Sequence, residues 1–269
     1  MPDTGGVVVL MAIMIVLLRN SLEITMTKHL DTKNLRTIIT GAGRGIGAAI
    51  TEEFLKRDHP IVGIDRSWSI HQQGENIISI TADISEENFW KNTFLNLLDS
   101  FQPNILINNA GIQFEASFLE TTTEIFEQTW RTNVATPLFL SQAAVQFWIK
   151  HKILGTIVNL SSIHDTIPSG IPSYSSSKAA LGMLTKEIAL AVSSYGIRAF
   201  CVAPGSVDTP LNAKDLDTPE KLKQAKKAIP LGRLCKTSEV ARLIYMLVED
   251  CPYLTGSTII LDGGLSLKR

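Results

Sequence analysis

The sequence predicts an α/β fold, a doubly wound, mostly parallel sheet of about seven strands flanked by helices within a single domain. Three observations predict it. From Arg36 onward, apolar runs of strand length alternate with helical stretches; the runs are rich in Ile and Val without polar alternation; and the first of them ends in a glycine-rich turn that opens a helix. Strands that are apolar on both faces belong in a parallel sheet covered by helices on both sides, and a repeating β-α order requires right-handed crossovers.

The expected strands are Thr37–Thr40, Pro60–Asp65, Ile77–Thr81, Ile105–Asn108, Gly155–Leu160, Arg198–Ala203 and Thr258–Leu261. Between them, helical spacing of apolar residues predicts Ile46–Lys56, Glu86–Ser100, Thr123–Lys150, Tyr174–Tyr195 and Ser238–Glu249. No linker or repeat interrupts Arg36–Arg269.

The N-terminus stands apart. Val7–Leu18 is an unbroken apolar run of 12 residues, which as a helix reaches about 18 Å, short of a ~30 Å bilayer core. Asp3 precedes it and Arg19–Glu23 follows it, so it lacks the basic lead and small-residue cleavage site of a secretory signal. Residues 1–35 are therefore read as an extension, disordered or outside the natural protein, with Met26 as the expected natural start.

Lys plus Arg number 25 against 26 Asp plus Glu, so no basic field exists to hold nucleic acid or an anionic membrane. The expected partners are small molecules and copies of the chain itself. Cys201, Cys235 and Cys251 form no CxxC pair, and none of the five histidines has HxxxH or HExxH spacing. That pattern predicts no disulfide framework, no metal site and a cytoplasmic setting.

Strand 36–40 runs into Gly41-Ala42-Gly43-Arg44-Gly45-Ile46-Gly47 and then a helix. A strand, a glycine turn and a helix start make an anion site, because glycines let the backbone approach a pyrophosphate and free amides with the helix dipole stabilise it. This is a Rossmann-type arrangement, although the GxxxGxG spacing departs from the common GxGxxG. Asp65 ends the second strand 18 residues after Gly47, where a carboxylate accepts hydrogen bonds from adenosine ribose hydroxyls. It favours NAD over NADP, because a 2′-phosphate meets like-charge repulsion there; Arg44 and Arg66 lie close in sequence and keep NADP in view. Asp83 and Ile84 follow the third strand and are placed near the adenine. Asn108-Asn109-Ala110-Gly111 follows the fourth and lines the same crevice.

Tyr174 and Lys178 lie four apart and share one face of a helix. An ammonium beside a phenol is expected to lower the phenol's pKa from about 10, giving an acid/base usable near neutral pH. Ser162, at the end of its strand, is placed to hydrogen-bond a substrate oxygen.

With these residues assembled, the chain resembles the short-chain dehydrogenase/reductase family from about Arg36 to Gly264. The matching motifs are Thr40–Gly47, Asn108–Gly111, Asn133, Ser162, Tyr174-x-x-x-Lys178, Pro204-Gly205 and Asp262-Gly-Gly264. The resemblance implies an NAD(P)-dependent oxidoreductase acting on a secondary alcohol or carbonyl. It makes Tyr174 the acid/base, and Lys178 the group that lowers its pKa and holds the nicotinamide ribose. Ser162 then positions substrate, and Asn133 braces a helix and an ordered water. Thr209, with Val207 nearby, binds the carboxamide. One departure is that Ser162 and Tyr174 are 12 positions apart, one fewer than the family pattern, which makes Ser161 the fallback. Residues 210–227 resemble the substrate lid, with a mobile surface helix pair as the plainer reading.

Locally, Ser161–Pro168 and Asp208–Lys214 are similar to the glucose 1-dehydrogenase branch, which implies a sugar or polyol. His164 and Asp165 either bond a sugar hydroxyl or stabilise their own loop. The 3-oxoacyl-carrier-protein reductase branch is the alternative, and a non-catalytic dinucleotide-binding regulator is the alternative of another class. Family dimers and tetramers form through the two long helices and the last strand, so a homotetramer is expected. Ala179, Ala180, Gly182, Ala189 and Ala191 supply small residues for close approach.

Overall fold

The computed structural model describes residues 35–69, 74–212 and 217–268. The expectations about Val7–Leu18 and the Met26 start lie outside the described residues. Seven parallel strands form one sheet in the order β3-β2-β1-β4-β5-β6-β7. They are β1 (Thr37–Thr40), β2 (Ile61–Asp65), β3 (Ile77–Thr81), β4 (Ile105–Asn108), β5 (Thr156–Leu160), β6 (Arg198–Pro204) and β7 (Thr258–Leu261). The helices are α1 (Gly45–Leu55), α2 (Phe94–Phe101), α3 (Thr123–Trp130), α4 (Thr136–His151), α5 (Pro172–Val192), α6 (Pro219–Ala228) and α7 (Thr237–Glu249).

Because the central strands carry apolar side chains on both faces, each face holds its own core. Ile50 and Phe54 of α1 pack with Val240 and Ile244 of α7 against Ile39, Val158 and Phe200. On the other face, Phe94 and Leu98 of α2, Leu140 and Trp148 of α4 and Val192 of α5 pack against Ile38, Leu106 and Ile157. Each such side chain contributes about 1.5–3 kcal/mol relative to exposure. Leu35, placed by the sequence reading in the extension, is fully buried in the first of these cores, so the packed chain starts at least one residue before Arg36.

Helix boundaries differ from expectation where the backbone ladder is disturbed. The predicted Thr123–Lys150 helix is divided by a π-helical turn over Arg131–Ala135, and the Thr136 amide donates to the Arg131 carbonyl. Pro137, in the first turn of α4, has no N–H to give the Asn133 carbonyl, and its ring crowds that carbonyl; widening the turn relieves both. A second π-helical turn, Phe89–Thr93, precedes α2 within the predicted 86–100 stretch. α5 begins at Pro172, two residues before Tyr174, with proline in its first turn, a position where the missing N–H costs nothing. β5 begins at Thr156 because Gly155 passes beneath Trp148: a Cβ there would lie 2.1 Å from the indole.

The strand order reverses between β1 and its neighbours, with β2 on one side and β4 on the other. Parallel register sets Thr40 beside Ile64 and Asn108, so the chain ends leaving β1, β2 and β4 open into one crevice, the place where doubly wound sheets bind ligands.

Candidate active site

The glycine turn is shaped for close approach. Gly45 has φ +56, in the left-handed region that glycine occupies at no steric cost. A Cβ on Gly47 would lie 2.0 Å from the Gly41 carbonyl oxygen, so only glycine lets α1 start this near β1. No side chain caps the α1 N-terminus and no acidic residue sits in its first turn, leaving its amides and dipole for an anionic group. Asn109 locks the turn to β4: its Nδ2 donates to the carbonyls of Thr40 and Gly41 at 2.9 and 3.0 Å.

One cleft runs over this turn to Tyr174 and Lys178. Gly41, Arg44, Gly45, Ile46, Asp65, Asp83, Ile84, Asn109, Ala110, Gly111, Pro204 and Thr209 line it. Three expected cofactor residues do not. Gly47 packs under the turn, as above. Gly205 lies against Asp262, where a Cβ would fall 2.7 Å from that residue's Cβ. The Val207 side chain is buried in the core, the backbone there pairing with Cys235. Sequence reading assigned these three to ligand contact because it does not separate a residue that shapes a turn from one that faces the cavity.

Asp65 closes the adenosine end. Its Oδ2 accepts from the Gly43 amide at 2.8 Å and its Oδ1 from the Ser67 amide at 3.2 Å, which fixes the carboxylate and leaves further lone pairs for ribose hydroxyls. Arg66 is held 3.6 Å from Asp83. The residues present therefore fit a dinucleotide, with uncapped amides for its pyrophosphate and a positioned carboxylate for its adenosine.

At the other end, Lys178 is almost fully buried and its Nζ donates to the Leu160 carbonyl at 2.7 Å. Gly111 lies between this ammonium and Asn133: a Cβ on Gly111 would sit 3.4 Å from both Lys178 Nζ and Asn133 Oδ1. Asn133 protrudes from the π-helical turn, accepts from the Ile112 amide at 2.9 Å, and donates to the Ile112 carbonyl and Ser177 Oγ at 3.0 Å each. It thus braces the β4 exit loop against α5.

The Ser162 hydroxyl lies near the Tyr174 phenol and favours its anion, while its Oγ accepts from the His164 amide at 3.2 Å. Of the two serines, Ser161 and not the expected Ser162 lines the cleft; Ser161 Oγ donates to Asp165 Oδ2 at 3.1 Å and faces the Lys178 carbonyl at 3.3 Å. Across the spacing shortened by one residue, Ser162 still acts on the tyrosine.

The expectation that the Tyr174 phenol titrates below its usual 10 is not met. Burial pushes the phenol above its usual 10, and only the Ser162 hydrogen bond opposes the rise. Nζ lies 5.7 Å from the ring centroid and is committed to Leu160. Burial likewise pushes Lys178 down to about 8. With the phenol raised, Tyr174 is protonated at neutral pH.

Of the two polar residues after Ser162, Asp165 is turned to Ser161, and His164 Nδ1 is 3.0 Å from the Ile167 carbonyl; these bonds stabilise the loop. Within the lid segment, one helix, α6, is described, and residues 213–216 lie outside the described residues. Sequence reading missed a buried polar chain beneath the site. Asn108 Nδ2 donates to Asn159 Oδ1 at 2.8 Å, and Asn159 Nδ2 donates to Thr185 Oγ1 at 2.7 Å. The available signal was Asn159 itself, an amide inside the apolar run Thr156–Leu160.

A family model described as Enoyl-(Acyl carrier protein) reductase matches residues 41–266. Glucose 1-dehydrogenase 2 of Bacillus subtilis is 33% identical over 250 residues, 88% of this chain and 96% of that protein. 3beta-hydroxysteroid dehydrogenase 1 of Eggerthella lenta is 31% identical over 249 residues, 88% of this chain and 95% of that protein. Among solved structures, 4-hydroxyisoleucine dehydrogenase complexed with NADH superposes with a TM-score of 0.84 at 26% identity, covering 88% of this chain and all of that one. With this match spanning nearly the whole described sheet, and Tyr174 and Lys178 gathered at one end of the cleft, the chain belongs to the short-chain dehydrogenase/reductase family.

Proposed function

We propose that the protein is an NAD(P)-dependent oxidoreductase that interconverts a secondary alcohol and its carbonyl, with NAD preferred and a sugar or polyol as the substrate class. The observation that carries this reading is one cleft lined by the α1 turn at one end and by Tyr174 and Lys178 at the other. The bound nicotinamide supplies or accepts the hydride. In the reductive direction, Ser162 holds the carbonyl oxygen and Tyr174 gives it the O–H proton as the carbon gains the hydride's electron pair. Lys178 contacts the nicotinamide ribose and steadies the resulting phenolate. Asn133 holds the Ile112 loop and α5 in register. Thr209 lies on the cleft wall where it meets the carboxamide.

The sugar or polyol assignment rests on the similarity to glucose 1-dehydrogenase. A ketoreductase acting on an acyl chain is the second reading, favoured by the description of the matching family model. Reduced-nicotinamide absorbance, followed with sugars, polyols, hydroxysteroids and 3-oxoacyl thioesters, tests both. Turnover of a sugar or polyol supports the first reading and turnover of the thioester alone the second. Tight dinucleotide binding with no turnover of any compound would support a non-catalytic regulator.

Asp65 sets the cofactor preference. Asp65→Asn keeps an acceptor for the Gly43 amide while removing the charge, so Arg44 and Arg66 then meet a 2′-phosphate unopposed. The NAD-to-NADP ratio of kcat/KM is expected to fall about tenfold or more, the equivalent of about 1.4 kcal/mol. A wild-type preference for NADP would overturn the assignment.

The protein is proposed to work as a homotetramer in the cytoplasm. No helix among the described residues is long and apolar enough to cross a membrane. β7 is an edge strand with Ile260 half exposed, and α5 presents Met183 and Leu190 to solvent. Exposed apolar edges of this kind are relieved by pairing with a copy. Of the small residues on α5, Gly182 and Ala189 are buried against their own subunit, which leaves Ala179 and its exposed neighbours for contact. Light scattering during size exclusion should give four times the 29.5 kDa chain mass; a monomer at micromolar concentration ends the idea.

A further inference from the structure

The loop after Ser162 carries a carboxylate that the reaction scheme above does not use. Asp165 closes a single 3-10 turn, Ile163–Asp165, that starts from Ser162. It does not face the cleft. Its Oδ2 accepts the Ser161 hydroxyl at 3.1 Å, and the same hydroxyl lies 3.3 Å from the Lys178 carbonyl. Gly182 is one helical turn beyond Lys178, and a Cβ there would lie 3.7 Å from Asp165 Oδ2. The absence of a larger side chain at 182 lets the carboxylate lie against the α5 backbone between Lys178 and Lys186.

We propose that Asp165 is a positioning residue of this site: through the Ser161 hydroxyl its half-buried carboxylate ties the Ser161–Ser162 strand end to the Lys178 turn of α5, and it is a counter-charge of the Lys178 ammonium. Burial raises the Asp165 pKa, and among the described residues the charged and titratable groups acting against that rise are Lys186 and then Lys178 of α5, with Cys201 of β6 close by. Its remaining partners are the hydroxyls of Ser161 and Thr166. Cys201, pushed up to about 11 by burial, is a neutral thiol at neutral pH, so Asp165 is the anion of the set. Burial lowers Lys178, and Cys201 and then Asp165 oppose that fall; with the thiol neutral at pH 7, Asp165 is the one that carries the opposite charge there. Lys178 Nζ therefore has two supports, the Leu160 carbonyl in contact and the Asp165 charge behind it.

The inference rests on the reading of Lys178 as a working group of the site, and its test reads the lysine directly. In protein labelled with carbon-13 lysine, the Lys178 Cε resonance is identified by its loss in Lys178→Arg, and its titration midpoint is followed. Asp165→Asn is expected to move the midpoint below the wild-type value and to lower kcat/KM at pH 7 by about tenfold; Asp165→Glu should restore both in part. Ser161→Ala removes the tether but keeps the charge, so it should leave the midpoint in place while lowering kcat several-fold. An unchanged midpoint in Asp165→Asn overturns the counter-charge role, and full kcat in Ser161→Ala overturns the tether. Should Lys178 variants prove fully active, the reading of the site fails, while the midpoint shift still decides whether Asp165 and Lys178 are paired.

Discussion

Tyr174→Phe is expected to lower kcat by about a hundredfold to ten-thousandfold, the range that a positioned acid/base contributes, while dinucleotide affinity changes by no more than a few-fold. The Tyr174 ring is buried, and Lys178 Nζ lies 5.7 Å from its centroid; phenylalanine keeps that packing. Only the hydroxyl is lost, with its hydrogen bond to Ser162. Ser162 Oγ still accepts the His164 amide at 3.2 Å, so the fold loses about one net hydrogen bond, roughly 1 kcal/mol. The melting temperature therefore moves little, and the activity loss reads the proton and not unfolding. Steady-state kinetics beside fluorescence titration of NADH separates the two quantities. Wild-type kcat in this variant would remove Tyr174 from the mechanism.

Most of the sheet is legible in the sequence because its strands are short apolar runs bounded by turn residues. Thr37–Thr40, Ile77–Thr81, Ile105–Asn108 and Thr258–Leu261 coincide residue for residue with β1, β3, β4 and β7. The long helices are less legible. Apolar spacing continues through Arg131–Ala135, so nothing in the periodicity reveals a π-helical turn; Pro137 is the clue, and its effect falls four residues upstream. At the cleft, residue types predict chemistry better than orientation. Gly41, Asp65 and Asn109 stand where their motifs imply, whereas Val207 faces the core. The direction of the Tyr174 shift was not legible either. Spacing places a lysine four residues along the helix, but burial, a property of the whole fold, sets the direction and raises the phenol.

Lys178→Met is expected to cost kcat/KM about a thousandfold, to weaken dinucleotide binding roughly tenfold to a hundredfold, and to leave the melting temperature within a few degrees of wild type. Stability decides how the other two losses are interpreted. Burial pushes Lys178 from 10.5 down to about 8. A base whose folded pKa is depressed contributes stability in full only above its unfolded pKa. That stability falls away between 10.5 and about 8, and is gone at pH 7, where both states are protonated. The charged lysine thus costs the fold about 3 kcal/mol at pH 7. Methionine fills nearly the same volume and removes that cost, but it strips the Leu160 carbonyl of its donor, which costs about 1–3 kcal/mol. The two effects oppose each other at similar size, so the variant stays folded. Its loss of affinity then reports the ammonium's contact with the nicotinamide ribose, and its loss of turnover reports the charge that steadies the Tyr174 phenolate. Calorimetry at pH 7 and pH 10 gives an internal check: the variant should gain on wild type at pH 7 and lose that advantage at pH 10, where wild-type Lys178 is neutral in the fold. Unaltered dinucleotide affinity would remove the ribose contact from Lys178 and leave it acting on Tyr174 alone.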